Sequence, residues 1–474
     1  MIPYILTLIL QAVALLALCG SMPARAAAWW GWPVSLLLLP TTAELRMPGG
    51  TPIDPRVVAA LLAPGLIAAW AADRRPRRGW RLTDVLVVGI VLGQVVSSAL
   101  AGVNPIGTVL DPLIVFGLPY LLGRLAIGSE EERGPLLGAV LAVAALLAVA
   151  TLIESATDFN VFALLGTNRY RGARMGLSRA NGPMRHPLYL GMTFLMLMAP
   201  ALTAAARARA GRGPAWWRAM PWLLPLAIAG TVSRGPLLAS LTAVGLFIIL
   251  GSRAWRVPLL LLWAGGAAMV AVDPGGIVAQ FEAIGEGARA EEREAMGKER
   301  AAIIIIDDRE YSYTSSTHRA LTFKVYQRPL AQMGPFGYGP GRQGVVIEES
   351  LLRRFWTIDN AYLSYTLAYG HVGIALLLGA IVSAMVEAGR ILAGDRRDPR
   401  ATAARAALAV LLAALVALYG VSLNADYAPA LMYVVGLTVN LAALRPTPAA
   451  AGRAGPPARR LAPPPRTAVA AARP

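Results

Sequence analysis

A carboxylate and an amide, Asp359 and Asn360, stand where a long polar stretch turns back into apolar sequence at Ala361-Tyr362-Leu363. A carboxylate at such a border can take a proton from an attacking hydroxyl. It can equally cap the helix that starts at Ala361, and both readings stay open at this point. Arg234 lies in Ser233-Arg234-Gly235-Pro236, at the tip between two apolar runs. A charge at a membrane edge costs free energy unless it finds water or a partner. It is either an arginine reaching lipid headgroups or an anion ligand beside the helix that Pro236 opens. Arg319 follows Ser315-Ser316-Thr317-His318 and opens an amphipathic stretch. That face is either simply solvated or a phosphate ligand, since guanidinium meets phosphate in a bidentate way. Two or three arginines on one aqueous face could hold a diphosphate.

These residues need a frame to position them, and the frame is apolar. The chain has 474 residues, 56% of them hydrophobic, and its mean hydropathy is +0.55. Runs long enough to cross a hydrocarbon layer of about 30 Å recur along it. They fall at 2–20, 28–45, 56–72, 82–103, 107–127, 134–154, 187–206, 217–232, 235–252, 257–272, 370–390, 404–422 and 427–444. The reading is an all-α polytopic membrane protein with about 12–13 transmembrane helices. The first run, Ile2–Cys19, has no basic segment ahead of it and reads as a span rather than a cleaved signal.

Charge gives the spans a direction. The net charge is +17, and the cations gather in Asp73–Arg81, Arg207–Arg218, Arg253–Arg256, Arg390–Arg405 and the tail from Arg445. Threading puts all of these on one side, which the positive-inside rule makes cytoplasmic. Nucleic acid is not needed to explain the charge. The organisation is then N-terminal spans over 1–272, a polar loop over 273–360, C-terminal spans over 361–444, and a Pro-rich basic tail over 445–474 that reads as disordered.

The outer side receives Ser155–His186, the Ser233-Arg234-Gly235 junction and the long loop. The first of these holds Arg169, Arg171, Arg174, Arg179 and Arg185, with only Asp158 and Glu154 as local acids. A basic outer loop breaks the charge rule, and an anion on that side would explain it. Within the long loop, Gln280–Arg300 reads as a surface helix and Ile303–Ile306 as an apolar patch. Ser315–Met333 reads as amphipathic, with Leu321, Val325 and Leu330 on the apolar side. Gly334–Gly341 (GPFGYGPG) is a tight turn. That turn lacks the following Lys-Ser or Lys-Thr of a phosphate-binding loop. Cys19 is the single cysteine and the histidines are His186, His318 and His371, so a cysteine or histidine metal site is not expected. The acid pairs Asp307-Asp308 and Glu348-Glu349 read as solvated turns before they read as a divalent-ion site.

Taken in order, these segments resemble the O-antigen ligases and Wzy-type polysaccharide polymerases. Arg179-Ala180-Asn181-Gly182-Pro183-Met184-Arg185-His186-Pro187 is similar to that family's Arg-rich outer loop with its His-Pro step. Thr231-Val232-Ser233-Arg234-Gly235 resembles its Ser-Arg-Gly junction. His318-Arg319, then Pro329 and Gly337-Tyr338-Gly339-Pro340-Gly341, resembles its loop stretch. Asp359-Asn360-Ala361-Tyr362-Leu363, then Tyr369-Gly370 and Val372-Gly373, resembles its re-entry into the membrane. The likeness covers roughly residues 170–390.

The resemblance implies a GT-C-like fold with a large periplasmic loop, in the bacterial inner membrane. It implies a glycosyltransferase that needs no metal or other cofactor. The donor would be an undecaprenyl-diphosphate-linked oligosaccharide, and the acceptor a glycan or a lipid-linked glycan, attacked with inversion. Other polysaccharide-assembly proteins are expected partners beside the bilayer, and nucleic acid is not. On this reading Asp359 is the base and Arg234 and Arg319 clamp the diphosphate. Arg174, Arg179, Arg185, His186, His318, Asn360 and Tyr362 would contact donor or acceptor. Lipid A–core ligases carry His where this chain has Asp359, and Asp is the form familiar among polymerases. The alternatives are a transporter or flippase for the same lipid-linked glycans, and a non-catalytic subunit of an assembly complex.

Overall fold

The computed structural model describes residues 2–46, 52–72, 79–103, 105–167, 173–174, 177–252, 257–258, 302–306, 309–313, 317–342, 346–347, 351, 355, 357–394 and 398–444. It is a bundle of helices with very little strand. The helices are α1 (Ile2–Ser21), α2 (Ala24–Leu37), α3 (Pro55–Ala59), α4 (Leu62–Ala72), α5 (Leu82–Leu100), α6 (Pro105–Pro112), α7 (Leu118–Leu125) and α8 (Arg133–Thr157). They continue with α9 (Pro187–Arg209), α10 (Met220–Gly230), α11 (Arg234–Gly251), α12 (Thr317–Gln332), α13 (Ala361–Ala393), α14 (Ala401–Ala417) and α15 (Ala428–Ala443).

Among the described residues eight segments are long and apolar enough to cross a membrane. They are Tyr4–Ser21, Pro55–Ala72, Leu82–Leu100, Gly107–Leu125, Arg133–Thr157, Pro187–Arg209, Arg234–Gly251 and Ala361–Ala393. The expected spans at 28–45, 217–232, 404–422 and 427–444 fall on the shorter helices α2, α10, α14 and α15. The expected span at 257–272 lies outside the described residues, save for 257–258. Large apolar side chains such as Leu10, Val13, Leu92, Leu146, Leu238 and Val416 stay exposed on the outside of the bundle. On a polytopic protein that surface faces lipid tails, which are as apolar as the side chains themselves.

Two helices differ from the expected spans, and both differences have local causes. α2 stops at Leu37, short of the 28–45 run. Pro40 pushes the residue before it out of helical geometry, so the apolar Leu38-Leu39 step becomes a turn. The chain then pairs β1 (Leu45–Arg46) with β2 (Pro52–Ile53). α13 begins at Ala361, nine residues before the 370–390 run, and breaks inside at Gly370 (φ 70°, ψ −174°). No β-carbon fits there, because Pro335 O and Gly337 N occupy the space.

The core is built around α9, which packs on α8, α10, α11, α14 and α15. Its Met192, Phe194, Leu195 and Met198 are fully enclosed. α7 and α15 approach backbone to backbone, with Gly123 against Tyr433 O and Gly436 against Tyr120 O. Small residues at a crossing let helices close in this way, and in lipid that packing replaces the hydrophobic drive. Arg124 and Asp111 are charges within the spans. Arg124 donates to Asp84 at 3.1 Å, and Asp111 is exposed.

Contacts between helix ends sort the connecting segments to two ends of the bundle. At one end Arg133 donates to Pro399 O (2.9 Å), Arg207 to Glu130 (3.4 Å) and Arg81 to Glu387 (3.4 Å). Arg400 reaches Leu444 O there too. This basic end gathers the described parts of the Arg-rich loops. At the other end Ala180 N donates to Gly230 O (3.3 Å), Thr41 N to Pro183 O (3.2 Å) and Ala361 N to Leu418 O (2.8 Å).

The polar stretch has a small core of its own. Ile303–Ile306, read as an apolar patch, lies in β5 (Ala302–Ile306), which pairs with β6 (Arg309–Tyr313) as a hairpin. Ile304 and Ile306 are buried and Ile305 is exposed, the two-residue alternation of a strand. They pack with Leu321, Val325 and Tyr326 of α12, with Phe355 and Ile358, and with Leu363 and Leu367 of α13. The amphipathic helix is therefore present as α12, with Leu330 packed at its edge. The expected helix at 280–300 and the pairs Asp307-Asp308 and Glu348-Glu349 lie outside the described residues.

The GPFGYGPG turn seats this unit on the bundle. Gly337, Gly339 and Gly341 take left-handed φ values. Tyr338 N donates to Leu367 O (2.8 Å), Gly339 N to Ala368 O (2.9 Å) and Val372 N to Pro335 O (3.2 Å). These bonds serve backbone groups that the break in α13 would otherwise leave unpaired.

Candidate functional site

The site begins at the first turn of α13. Asn360 is extended (φ −152°, ψ 112°), and its side chain accepts from Leu363 N at 2.9 Å. Asn360 is thus the N-cap. Asp359, one position earlier, is half-buried just ahead of the helix N-terminus. Capping, one of the two readings of this dipeptide, thus falls on Asn360 and not on Asp359. Ala361 N is held by Leu418 O, and the Tyr362 hydroxyl donates to Leu415 O at 2.5 Å, so the end of α14 fixes this turn.

The start of α9 comes to the same place. His186 caps that helix, its Nδ1 accepting from Leu188 N at 3.1 Å, with Pro187 in the first helical position. That bond leaves Nε2 as the ring nitrogen for any proton or further partner. The His186 ring lies 5.5 Å from Tyr189, and Tyr189 stacks on Tyr427 at 6.1 Å and 26°. The Tyr189 hydroxyl shares a hydrogen bond with Ser422 Oγ (3.4 Å). It also lies within electrostatic reach of both Asp359 and Asp426. Residues 418–427, between α14 and α15, therefore bridge the two helix starts.

Arg185 meets acids that are distant in sequence. It pairs with Glu44 (3.3 Å) and Asp426 (3.9 Å) and donates to Thr41 O (3.3 Å). Both acids lie far from the loop in sequence, where Asp158 and Glu154 are the local ones. Asp426 is almost fully enclosed, and burial pushes its carboxyl above the usual carboxylate range, against the pull of Arg185 and Arg56. Thr41 stands beside it, yet Asp426 Oδ2 and Thr41 Oγ1 do not complete a well-formed hydrogen bond. Arg56, buried in α3, binds Asp54 and Ala425 O.

The Arg-rich loop is shaped from below by Glu154. Its carboxylate accepts from Asn160 Nδ2 (3.0 Å), Asn181 N (3.1 Å) and Gly182 N (2.9 Å). Asp158 accepts from Ser178 Oγ at 2.7 Å. The local acids thus bind amides and a hydroxyl of the loop. Arg179 is buried beneath it. Arg174 lies in β3 (Ala173–Arg174), which pairs with β4 (Leu177–Ser178). The Arg174 side chain, and Arg169 and Arg171 entirely, lie outside the described residues.

Arg234 is the exposed first residue of α11. The preceding Ser233 makes no side-chain cap and bonds back to Thr231 O (3.2 Å). Val232 has φ +49°, a left-handed conformation that a β-branched residue adopts only under strain. The strain makes the α10–α11 junction tight and sets Arg234 at its tip. The junction packs on the Arg-rich loop through Gly230 O and on α9 through Pro236 against Gly191. Arg319 and His318 fall in the first turn of α12, with side chains outside the described residues. Four positions on, Phe323 stacks on Tyr419 at 6.2 Å and 22°. α12 is thereby moored beside residues 418–427.

The end opposite the basic loops therefore brings together Asp359, Asn360, Tyr362, Arg185 and His186. Arg179 and Arg234 lie on the adjoining junction. Tyr189, Asp426, Tyr427, Arg56 and Glu44 belong to the same cluster and were not singled out from sequence. Ser422, Asn424 and Asp426, three polar residues in a short gap between apolar runs, were the available signal. Among the described residues no three His, Cys, Asp or Glu side chains gather closely enough to hold a metal ion. Comparison with known proteins finds no matching family model and no matching curated protein.

Proposed function

We propose that this protein is a membrane glycosyltransferase acting on undecaprenyl-diphosphate-linked glycans at the periplasmic face of the inner membrane. The observation that supports the reading lies at the start of α13: Asn360 caps the helix, so the neighbouring Asp359 is not needed as the cap. Orientation is supported by the opposite end, where the Arg-rich loops sit as the positive-inside rule expects of a cytoplasmic face.

In the proposed reaction an acceptor hydroxyl attacks the anomeric carbon of the donor, and its proton passes to Asp359. The new C–O bond forms as the anomeric bond to the diphosphate breaks, and the electron pair leaves on the diphosphate. Arg234 and Arg319 stabilise that charge, and prepositioned cations of this kind are often the largest catalytic contribution. Arg185 belongs to the site as a bridge between Glu44 and Asp426 more than as an open phosphate ligand. Tyr189, within electrostatic reach of Asp359, and His186 beside it suit sugar hydroxyls and ring faces.

Purified protein in bilayers, given a lipid-linked oligosaccharide and an acceptor, should release lipid diphosphate and lengthen the acceptor. Movement of intact donor across the bilayer without release would support the transporter reading instead. The glycan of a deletion strain then separates two chemistries. Single repeats without polymer mean polymerisation, and polymer that stays unattached means ligation.

A further inference from the structure

The basic end holds a second cluster that the proposed chemistry does not use. Arg133, at the first turn of α8, is buried to 3% exposure. It pairs with Glu130 and donates to Pro399 O, yet its Nε and Nη1 have no hydrogen-bond partner. Arg207, from the last turn of α9, approaches Glu130 at 3.4 Å, and its Nε is likewise unpartnered. Arg212 is brought back over this point by the turn that ends α9, where Gly211 is left-handed and Arg212 N donates to Arg207 O at 2.8 Å. Three guanidiniums thus act on one carboxylate, and the next acid, Asp398, is bound by its own Arg400 (2.6 Å).

Unmade donors on buried arginines are costly, and an anion removes that cost. The first turn of α8 also lies against Arg207. Gly134 has no side chain, and a β-carbon there would lie 3.7 Å from Arg207 Nη2. The helix N-terminus adds its partial positive charge. Exposed Trp216 and Trp222 follow on the next segment, the residue type that settles at a membrane–water border.

We infer that Arg133, Arg207 and Arg212 form a phosphate-binding site at the basic end, separate from the Asp359 site. Phosphate is the anion whose oxygens match forked guanidinium donors. The phosphate can come from an acidic phospholipid headgroup or from a free phosphate, and the tryptophans favour the lipid.

Full-length protein in detergent is compared with added phosphatidylglycerol, phosphatidylcholine or inorganic phosphate. The readouts are thermal unfolding and retained lipid by native mass spectrometry. Phosphatidylglycerol should raise Tm by about 2 °C or more over phosphatidylcholine, and Arg207→Gln should weaken its retention about tenfold. Arg212→Gln, at an exposed position, gives the same comparison if Arg207→Gln does not fold. An equal rise with inorganic phosphate alone supports the site with free phosphate as its ligand. No rise with either, or retention unchanged in both variants, overturns the proposal. Transfer activity is not part of the readout, so the result is independent of the glycosyltransferase reading.

Discussion

The two ends of this bundle handle arginine differently. At the basic end Arg81, Arg133, Arg207 and Arg400 meet Glu387, Glu130, Asp398 and helix-terminal carbonyls. They tie helix to helix, Arg133 and Arg400 with an acid beside them in the chain and Arg81 and Arg207 through acids on other segments. At the opposite end Glu154 accepts from loop amides and Asp158 from a loop hydroxyl. Arg185 must reach Glu44 and Asp426, far along the chain, and Arg234 stands exposed on a strained turn.

Replacing Arg234 and Arg319 together by Ala breaks the comparison most severely. Transfer from a lipid-linked donor should fall by about 10²–10³-fold or more, with normal expression and membrane insertion. Unchanged full-length polymer from that variant would mean these two arginines do not clamp the diphosphate.

Gly370→Val tests whether the polar unit must be docked on the broken helix. The left-handed φ and the blocked space predict a loss of about 2 kcal/mol or more. Limited proteolysis should show residues 302–342 cut faster, and a protection pattern like wild type would remove the turn's assigned role.

Much of this architecture was legible in the sequence, because span length and basic loops are properties of composition that lipid enforces. α12 and the glycine turn were readable for similar reasons, one from its apolar spacing and the other from residues that tolerate left-handed φ. The β5–β6 hairpin was not recognised, since four isoleucines in a row mask the alternation that appears only once Ile304 and Ile306 pack on α12. Asp359 and Asn360 were legible as a pair, but which one caps depends on a single backbone hydrogen bond. The partners of Arg185 were hidden for a different reason. Glu44 and Asp426 come near it only when α2, α9 and the 418–427 segment assemble.

Asn360→Ala removes the cap and should cost about 1 kcal/mol, read as a lower Tm, while Asn360→Asp should recover most of it. If Asn360→Ala leaves Tm unchanged, the separation of capping from chemistry at this turn fails.

A smaller effect concerns Asp426. Its folded carboxyl titrates above the ordinary value because it is buried. It contributes stability that is present in full below the ordinary carboxylate range and is lost as pH rises through the raised value. Asp426→Asn should flatten that part of the Tm–pH curve. An unaltered curve would show that Arg185 keeps the group ionised throughout.

The most direct test of the account is single-turnover transfer by purified Asp359→Asn, measured beside donor binding. The account predicts that the lipid-diphosphate donor binds within about threefold of wild type, while transfer falls by about 10²–10⁴-fold. Transfer at the wild-type rate with binding intact would contradict it, because the carboxylate that Asn360 leaves uncapped would then have no part in the chemistry.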